Sequence, residues 1–127
     1  MAHSAAGEDA RAGWATMGAA WACDDLGSEM SGYCRHVAAH YFHEAQEFDE
    51  PFASDRGSEH AILADLFRRS RQYADAEKEI EEGLNATNDE TTRVVLSFIR
   101  ELMDRDDDGA HTVAEAVEWA SRRRPTA

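Results

Sequence analysis

The sequence predicts an all-α protein: five to six helices arranged as antiparallel helical hairpins in a single compact helical domain over residues 1–127. Three observations carry that expectation. Apolar residues recur every three to four positions rather than every two, which is the period of a helix face. Only two prolines occur, Pro51 and Pro125, and each follows a stretch of helical periodicity. Runs of β-branched residues are scarce and the connections are short, which suits antiparallel neighbours.

Residues 1–7 lack any apolar pattern and are expected to be disordered. The first helix is expected over about 8–23, with Ala10, Trp14, Met17 and Trp21 on one stripe and Asp24-Asp25-Leu26-Gly27 as its turn. The second covers about 28–48, with Tyr33, Val37, Tyr41, Ala45 and Phe48 on one face and Pro51 beyond its end. The third covers about 58–69, pointing Ile62, Leu63, Leu66 and Phe67 inward. The fourth covers about 73–84, pointing Ala76, Ile80 and Leu84 inward.

The last segment, 91–124, reads as a helix pair. Thr87-Asn88-Asp89-Glu90 fits a capping box, in which hydroxyl and carboxylate satisfy each other's backbone N–H. Val94, Val95, Phe98, Ile99, Leu102 and Met103 then form a wide apolar stripe. A short final helix over about 113–124 ends in Arg122, Arg123 and Arg124, where the helix dipole favours cations.

Charge narrows the function classes. The chain has 26 acidic and 13 basic residues, a formal net charge of -13, and a single lysine, Lys78. Nucleic acids and anionic membrane surfaces both need clustered positive charge, so neither is an expected partner. An acid excess with almost no lysine resembles proteins of cells that hold molar salt, where the Debye length falls to about 3 Å. No apolar run approaches the ~20 residues of a membrane span. The start, Met1-Ala2-His3-Ser4, has no basic region followed by an apolar stretch, so a signal peptide is not expected. The expected setting is a salt-adapted cytoplasm. Cys23 and Cys34 make no disulfide framework.

Two constellations carry metal chemistry. Asp104-Arg105-Asp106-Asp107-Asp108-Gly109, followed by Glu115, matches the calcium-loop pattern D-x-[DN]-x-[DN]-G-x5-E between two predicted helices and resembles an EF-hand loop. The resemblance implies Ca²⁺ held by Asp104, Asp106, Asp108 and bidentate Glu115, with a sharp turn at Gly109. His111 stands where the family places an aliphatic residue, and no second loop pairs with this one. The competing reading is a solvated turn, with Thr112 and Glu115 as a capping box. On the second helix His36, His40 and His43 span about 60° of one face, with Glu47 four residues on. Imidazoles so placed can bind a transition metal. They also suit the boundary between an apolar face and solvent.

Residues 57–90 resemble one tetratricopeptide repeat, a 34-residue helical hairpin. Leu63-Ala64, Phe67, Tyr73, Ala76, Ile80 and Leu84 occupy the family's pattern positions. Ala64 and Ala76 are small enough to let two helices cross closely. Three positions depart: His60 stands where the family prefers tryptophan, Gly83 where it prefers alanine, and Asn88 where it prefers proline. Trp14 to Trp21 echoes the first-helix pattern weakly. The resemblance implies a protein or peptide partner, or self-association. No phosphate-binding glycine loop, nucleophile elbow or HExxH occurs, so catalysis is not expected. The leading expectation is a protein-interaction or scaffold module. Calcium binding and His-based metal binding are the alternatives.

Overall fold

The computed structural model describes residues 7–25 and 30–123. Among these, all regular elements are helical: α1 (Glu8–Asp25), α2 (Met30–Glu47), α3 (Arg56–Arg69), α4 (Tyr73–Ala86), α5 (Glu90–Asp104) and α6 (Val113–Arg123). The all-α expectation holds. No helix among the described residues is long and apolar enough to cross a membrane. Residues 1–6, the Leu26-Gly27 part of the first turn and the stop at Arg124-Pro125 lie outside the described residues. The chain divides into two compact units, Met1–Asp55 and Arg56–Ala127.

In the N-terminal unit α1 packs on α2 through small residues. The buried residues of α1 are Asp9, Ala10, Gly13 and Ala20; of the expected stripe Ala10 is buried and Met17 half-buried, but Trp14 and Trp21 are exposed. The buried face of α2 is Arg35, Ala38, Ala39, Phe42 and Ala45. The expected face is thus rotated by about one residue, or 100°. Tyr33 and Phe48 point to solvent. The physical reason sits at Gly13. A Cβ there would lie 2.6 Å from the Phe42 ring, so only glycine lets that ring rest on the α1 backbone. Helices that meet through glycine and alanine approach closely, and their large side chains are pushed to the rim.

An aromatic stack closes this hairpin. Phe42 lies edge-on to Trp14 at 5.1 Å and stacks on Phe52 at 4.6 Å. The Trp14 indole N–H donates to the Phe52 carbonyl at 3.1 Å. Arg35, buried, pairs with Asp24. One group is poorly accommodated: the Glu50 carboxylate is buried and neither oxygen has a hydrogen-bond partner. A buried polar group left unmatched costs about 1–3 kcal/mol.

The C-terminal unit is built from larger side chains. Here α3 packs on α4, α5 lies against both, and α6 packs on α5. One cluster joins Ala64, Ile80, Leu96 and Ile99, flanked by Ala61, Leu84, Val95 and Met103. A second joins Phe98, Leu102 and Ala116, flanked by Val94, Val95 and Trp119. Leu63 and Leu66 are also fully buried, while Ile62 and Phe67 are half-buried. Full burial of each Leu or Ile contributes roughly 1.5–3 kcal/mol. Ala64 and Ala76 are both sealed, consistent with the close crossing their size permits.

Three helices end without glycine. After α2, Asp49 takes φ 55°, and the N–H of Glu50 reaches back to the Ala45 carbonyl at 2.7 Å. After α3, Arg71 takes φ 61° and the Gln72 N–H reaches Phe67 at 2.7 Å. After α5, Asp106 takes φ 55° and the Asp107 N–H reaches Leu102 at 2.8 Å. Each is a Schellman closure with a left-handed C′ residue. The N-cap of α5 is Asp89, not Thr87. Its carboxylate accepts from the Thr92 N–H at 2.9 Å, while the Thr87 hydroxyl accepts from the Asp89 N–H.

Candidate functional site

The aspartate-rich loop lies against the end of α3. Arg68, fully buried, donates to the Asp107 carbonyl at 2.7 Å and to the Asp65 carboxylate at 2.7 Å. Arg69 donates to the Asp108 carbonyl at 2.8 Å. Arg71 pairs with Asp106 at 2.8 Å and with Asp108 at 3.3 Å, and the Tyr73 hydroxyl also donates to Asp106. Hydrogen bonding to Asp108, then the nearby Asp106 charge, holds the Arg71 guanidinium above its usual range. Burial first, then its bond to Asp106, pushes the Tyr73 phenol up.

The oxygens a calcium ion would take at Asp106 and Asp108 are therefore engaged by arginine and tyrosine. Asp104 is the exposed last residue of α5. Glu115 forms the capping box of α6: it accepts from the Thr112 N–H at 3.2 Å, and the Thr112 hydroxyl accepts from the Glu115 N–H at 3.1 Å. The left-handed turn residue is Asp106, and Gly109 is not among the left-handed residues. What this geometry builds is an ionic latch between the α5–α6 loop and α3.

His111 completes the latch. It bridges Asp107 at 2.8 Å and Glu115 at 2.7 Å, and its ring lies edge-on to Phe98. Burial pulls the imidazole down, but the bonds to Glu115 and Asp107 outweigh it, and the net direction is up. The Asp107 carboxyl is lowered, chiefly by the Gly109 N–H and then by His111. Glu115 is lowered chiefly by His111.

The histidines of α2 do not converge. His36 and His40 are exposed, and His43 is half-buried with its ring 3.8 Å from Glu47. Among the described residues, the three ligand groups that do come together are His60 on α3 with Glu79 and Glu82 on α4, all donor atoms within 4.8 Å of one another. His60 Nδ1 is 2.9 Å from Glu79 and 3.9 Å from Glu82. His60 and Glu79 are buried; Glu82 is half-exposed. A sequence signal for this cluster existed in Glu79 and Glu82 at helical spacing and in the two departures at His60 and Gly83. The pairing of α3 with α4 was needed to join them.

The other feature with functional geometry is apolar. Trp21, Met30 and Tyr33 are 53%, 54% and 63% exposed; Trp21 lies near the C-terminal end of α1, and Met30 and Tyr33 lie in the first turn of α2. They therefore share the end of the hairpin where the two helices connect. The unit that presents them has ten acidic residues and two basic ones, against sixteen and eleven in the unit beyond Asp55. Comparison with family models, curated proteins and solved structures gives no match for this chain.

Proposed function

We propose that the protein is an interaction module that docks a partner protein through the connecting end of the α1–α2 hairpin. The observation that carries this reading is the exposure of Trp21, Met30 and Tyr33 together at one end of a unit whose own core is mostly alanine. Large aromatic side chains are the anchors of protein interfaces, because they bury much area at little entropic cost. The partner is an amphipathic helix, apolar along one side and basic around it. The acidic excess of this unit favours such a rim and opposes a second copy of the same chain. The charge balance also supports a high-salt working environment, where the apolar anchors would supply the affinity.

The test uses a synthetic leucine–lysine amphipathic helix titrated into the full chain, followed by tryptophan fluorescence and calorimetry. Saturable binding is expected, persisting in molar KCl and weakened at least about tenfold by Trp21→Ala or Tyr33→Ala, since hot-spot anchors are worth 2 kcal/mol or more. Binding that vanishes in molar KCl is only charge attraction and overturns the reading. So does binding that the two substitutions leave unchanged. Sedimentation that shows a concentration-dependent dimer, abolished by Tyr33→Ala, would assign the surface to a second copy instead.

A further inference from the structure

We propose that His60, Glu79 and Glu82 bind one divalent first-row transition-metal ion at the crossing of α3 and α4. One ligand atom from each of His60, Glu79 and Glu82 lies within 4.8 Å of the other two. Around an ion with bonds of about 2.0–2.2 Å, neighbouring ligands stand roughly 3.0–3.4 Å apart. The His60–Glu79 distance of 2.9 Å, now a hydrogen bond, falls just below this spacing. The His60–Glu82 distance of 3.9 Å exceeds it by little, and Glu82 is the ligand with room to rotate.

His60 and Glu79 are also buried. The side chains of His60 and Glu79 are 7% and 4% exposed, on two helices that pack directly on each other. An ionised carboxylate taken that far from water needs strong compensation. A dication bound by both side chains offers more than one hydrogen bond to an imidazole does. Glu82 stands at the solvent edge of the cluster and gives an ion its way in.

Gly83 clears the space that His60 occupies. A Cβ at this position would lie 2.9 Å from His60 Cβ and 2.9 Å from Leu96 Cδ1. Two of the departures from the repeat pattern are therefore one structural feature. Histidine replaces a large aromatic at 60, and glycine at 83 makes the clearance that lets the histidine sit against α4. A purely apolar crossing needs neither change.

The donor set selects the ion. One imidazole and two carboxylates suit Zn²⁺, Co²⁺, Mn²⁺ or Fe²⁺; calcium prefers all-oxygen sites, and copper(I) prefers sulfur. Three protein ligands leave at least one coordination position for water. The site shares no residue with the surface formed by Trp21, Met30 and Tyr33, and its test is independent of that surface.

The experiment is titration of the full chain with Zn²⁺ and with Co²⁺ in molar KCl, which screens the diffuse attraction of cations to so acidic a surface. Uptake of one ion per chain is expected, with visible d–d absorption in the Co²⁺ form that shows inner-sphere ligation. Glu82→Gln, at the half-exposed position, should leave the melting curve of the metal-free chain unchanged. It should weaken binding at least about tenfold, since even outer-shell losses cost about 10–100-fold. His36→Ala and His40→Ala should leave binding intact. No saturable uptake overturns the proposal, as does affinity in Glu82→Gln and Glu79→Gln equal to that of the unsubstituted chain. Loss of uptake in the His36 or His40 variants would move the site to α2 and overturn it equally.

Discussion

The two units of this chain handle large side chains in opposite ways. The N-terminal unit buries Ala10, Ala20, Ala38, Ala39 and Ala45 around Phe42 and Phe52, and exposes Trp21, Met30, Tyr33 and Phe48. The C-terminal unit buries Leu63, Leu66, Ile80, Leu96, Ile99 and Leu102, and the large apolar residues it exposes are Val113 and Val117 on α6. Their charges differ in the same sense. The second unit ties its acidic groups to arginines: Arg68 to Asp65, Arg71 to Asp106 and Asp108, and Arg100 to Glu77. The first has ten acidic groups and two arginines, of which Arg35 is buried against Asp24. The difference teaches a division of labour. A core of Leu and Ile makes a unit stable by itself, whereas a core of alanine leaves the large apolar area available for something else.

The comparison can be broken most forcefully at Arg68. Arg68→Ala removes a fully buried side chain, leaves a cavity and takes the donor from the Asp107 carbonyl, so it should cost about 2–5 kcal/mol in urea unfolding. Next is the glycine contact of the other unit. Gly13→Ala drives a methyl group into the Phe42 ring and should cost about 1–3 kcal/mol, read as lost α1–α2 helicity. Gly18 on the same helix has no neighbour within 4 Å, so Gly18→Ala should instead gain about 0.5–1 kcal/mol. If both changes act alike, the close approach of the two helices is wrong. Glu50→Leu, which removes two buried oxygens without partners, should raise stability by about 1–3 kcal/mol. Tyr33→Ser should shift it by less than about 0.5 kcal/mol, as for a surface position. A large loss there would place Tyr33 in a core.

The smallest effect is in pH. His111 has a raised value in the folded chain, so its contribution is complete below the ordinary histidine value of about 6.5 and is lost as pH rises through the folded value. Asp107 and Glu115 are lowered, so theirs is present above about pH 4 and is lost as pH falls through their folded values. The latch should thus hold best between about pH 4.5 and 6.5. His111→Gln should remove the decline on the alkaline side. An imidazole that titrates below about 6.5 in a proton NMR titration would contradict this account.

Helix number and approximate bounds were legible in the sequence, because the period of α3 to α6 is carried by large residues such as Leu63, Ile80, Leu96 and Leu102. The faces of α1 and α2 were not. There the buried stripe is glycine and alanine, and a period alone cannot say whether large or small residues face inward. The helix ends at Asp49, Arg71 and Asp106 were also hidden, since a left-handed closure is ordinarily signalled by glycine. The Thr112–Glu115 capping box was legible because it is local. The latch of Arg68, Arg69 and Arg71 onto residues 106–108 was not, because it joins groups more than thirty positions apart. His60, Glu79 and Glu82 were hidden for the same reason: a donor set spread over two helices exists only once those helices pair.

Native-state hydrogen exchange of the full chain tests the contrast between the units most directly. Amides around Ala64, Ile80, Leu96 and Ile99 should exchange slowest, through global unfolding. Those of α1 and α2 should exchange at least about tenfold faster through a partial opening of the alanine-cored hairpin. Equal protection of α1, α2 and α3–α5 would mean that one cooperative core holds the whole chain, and would contradict the account.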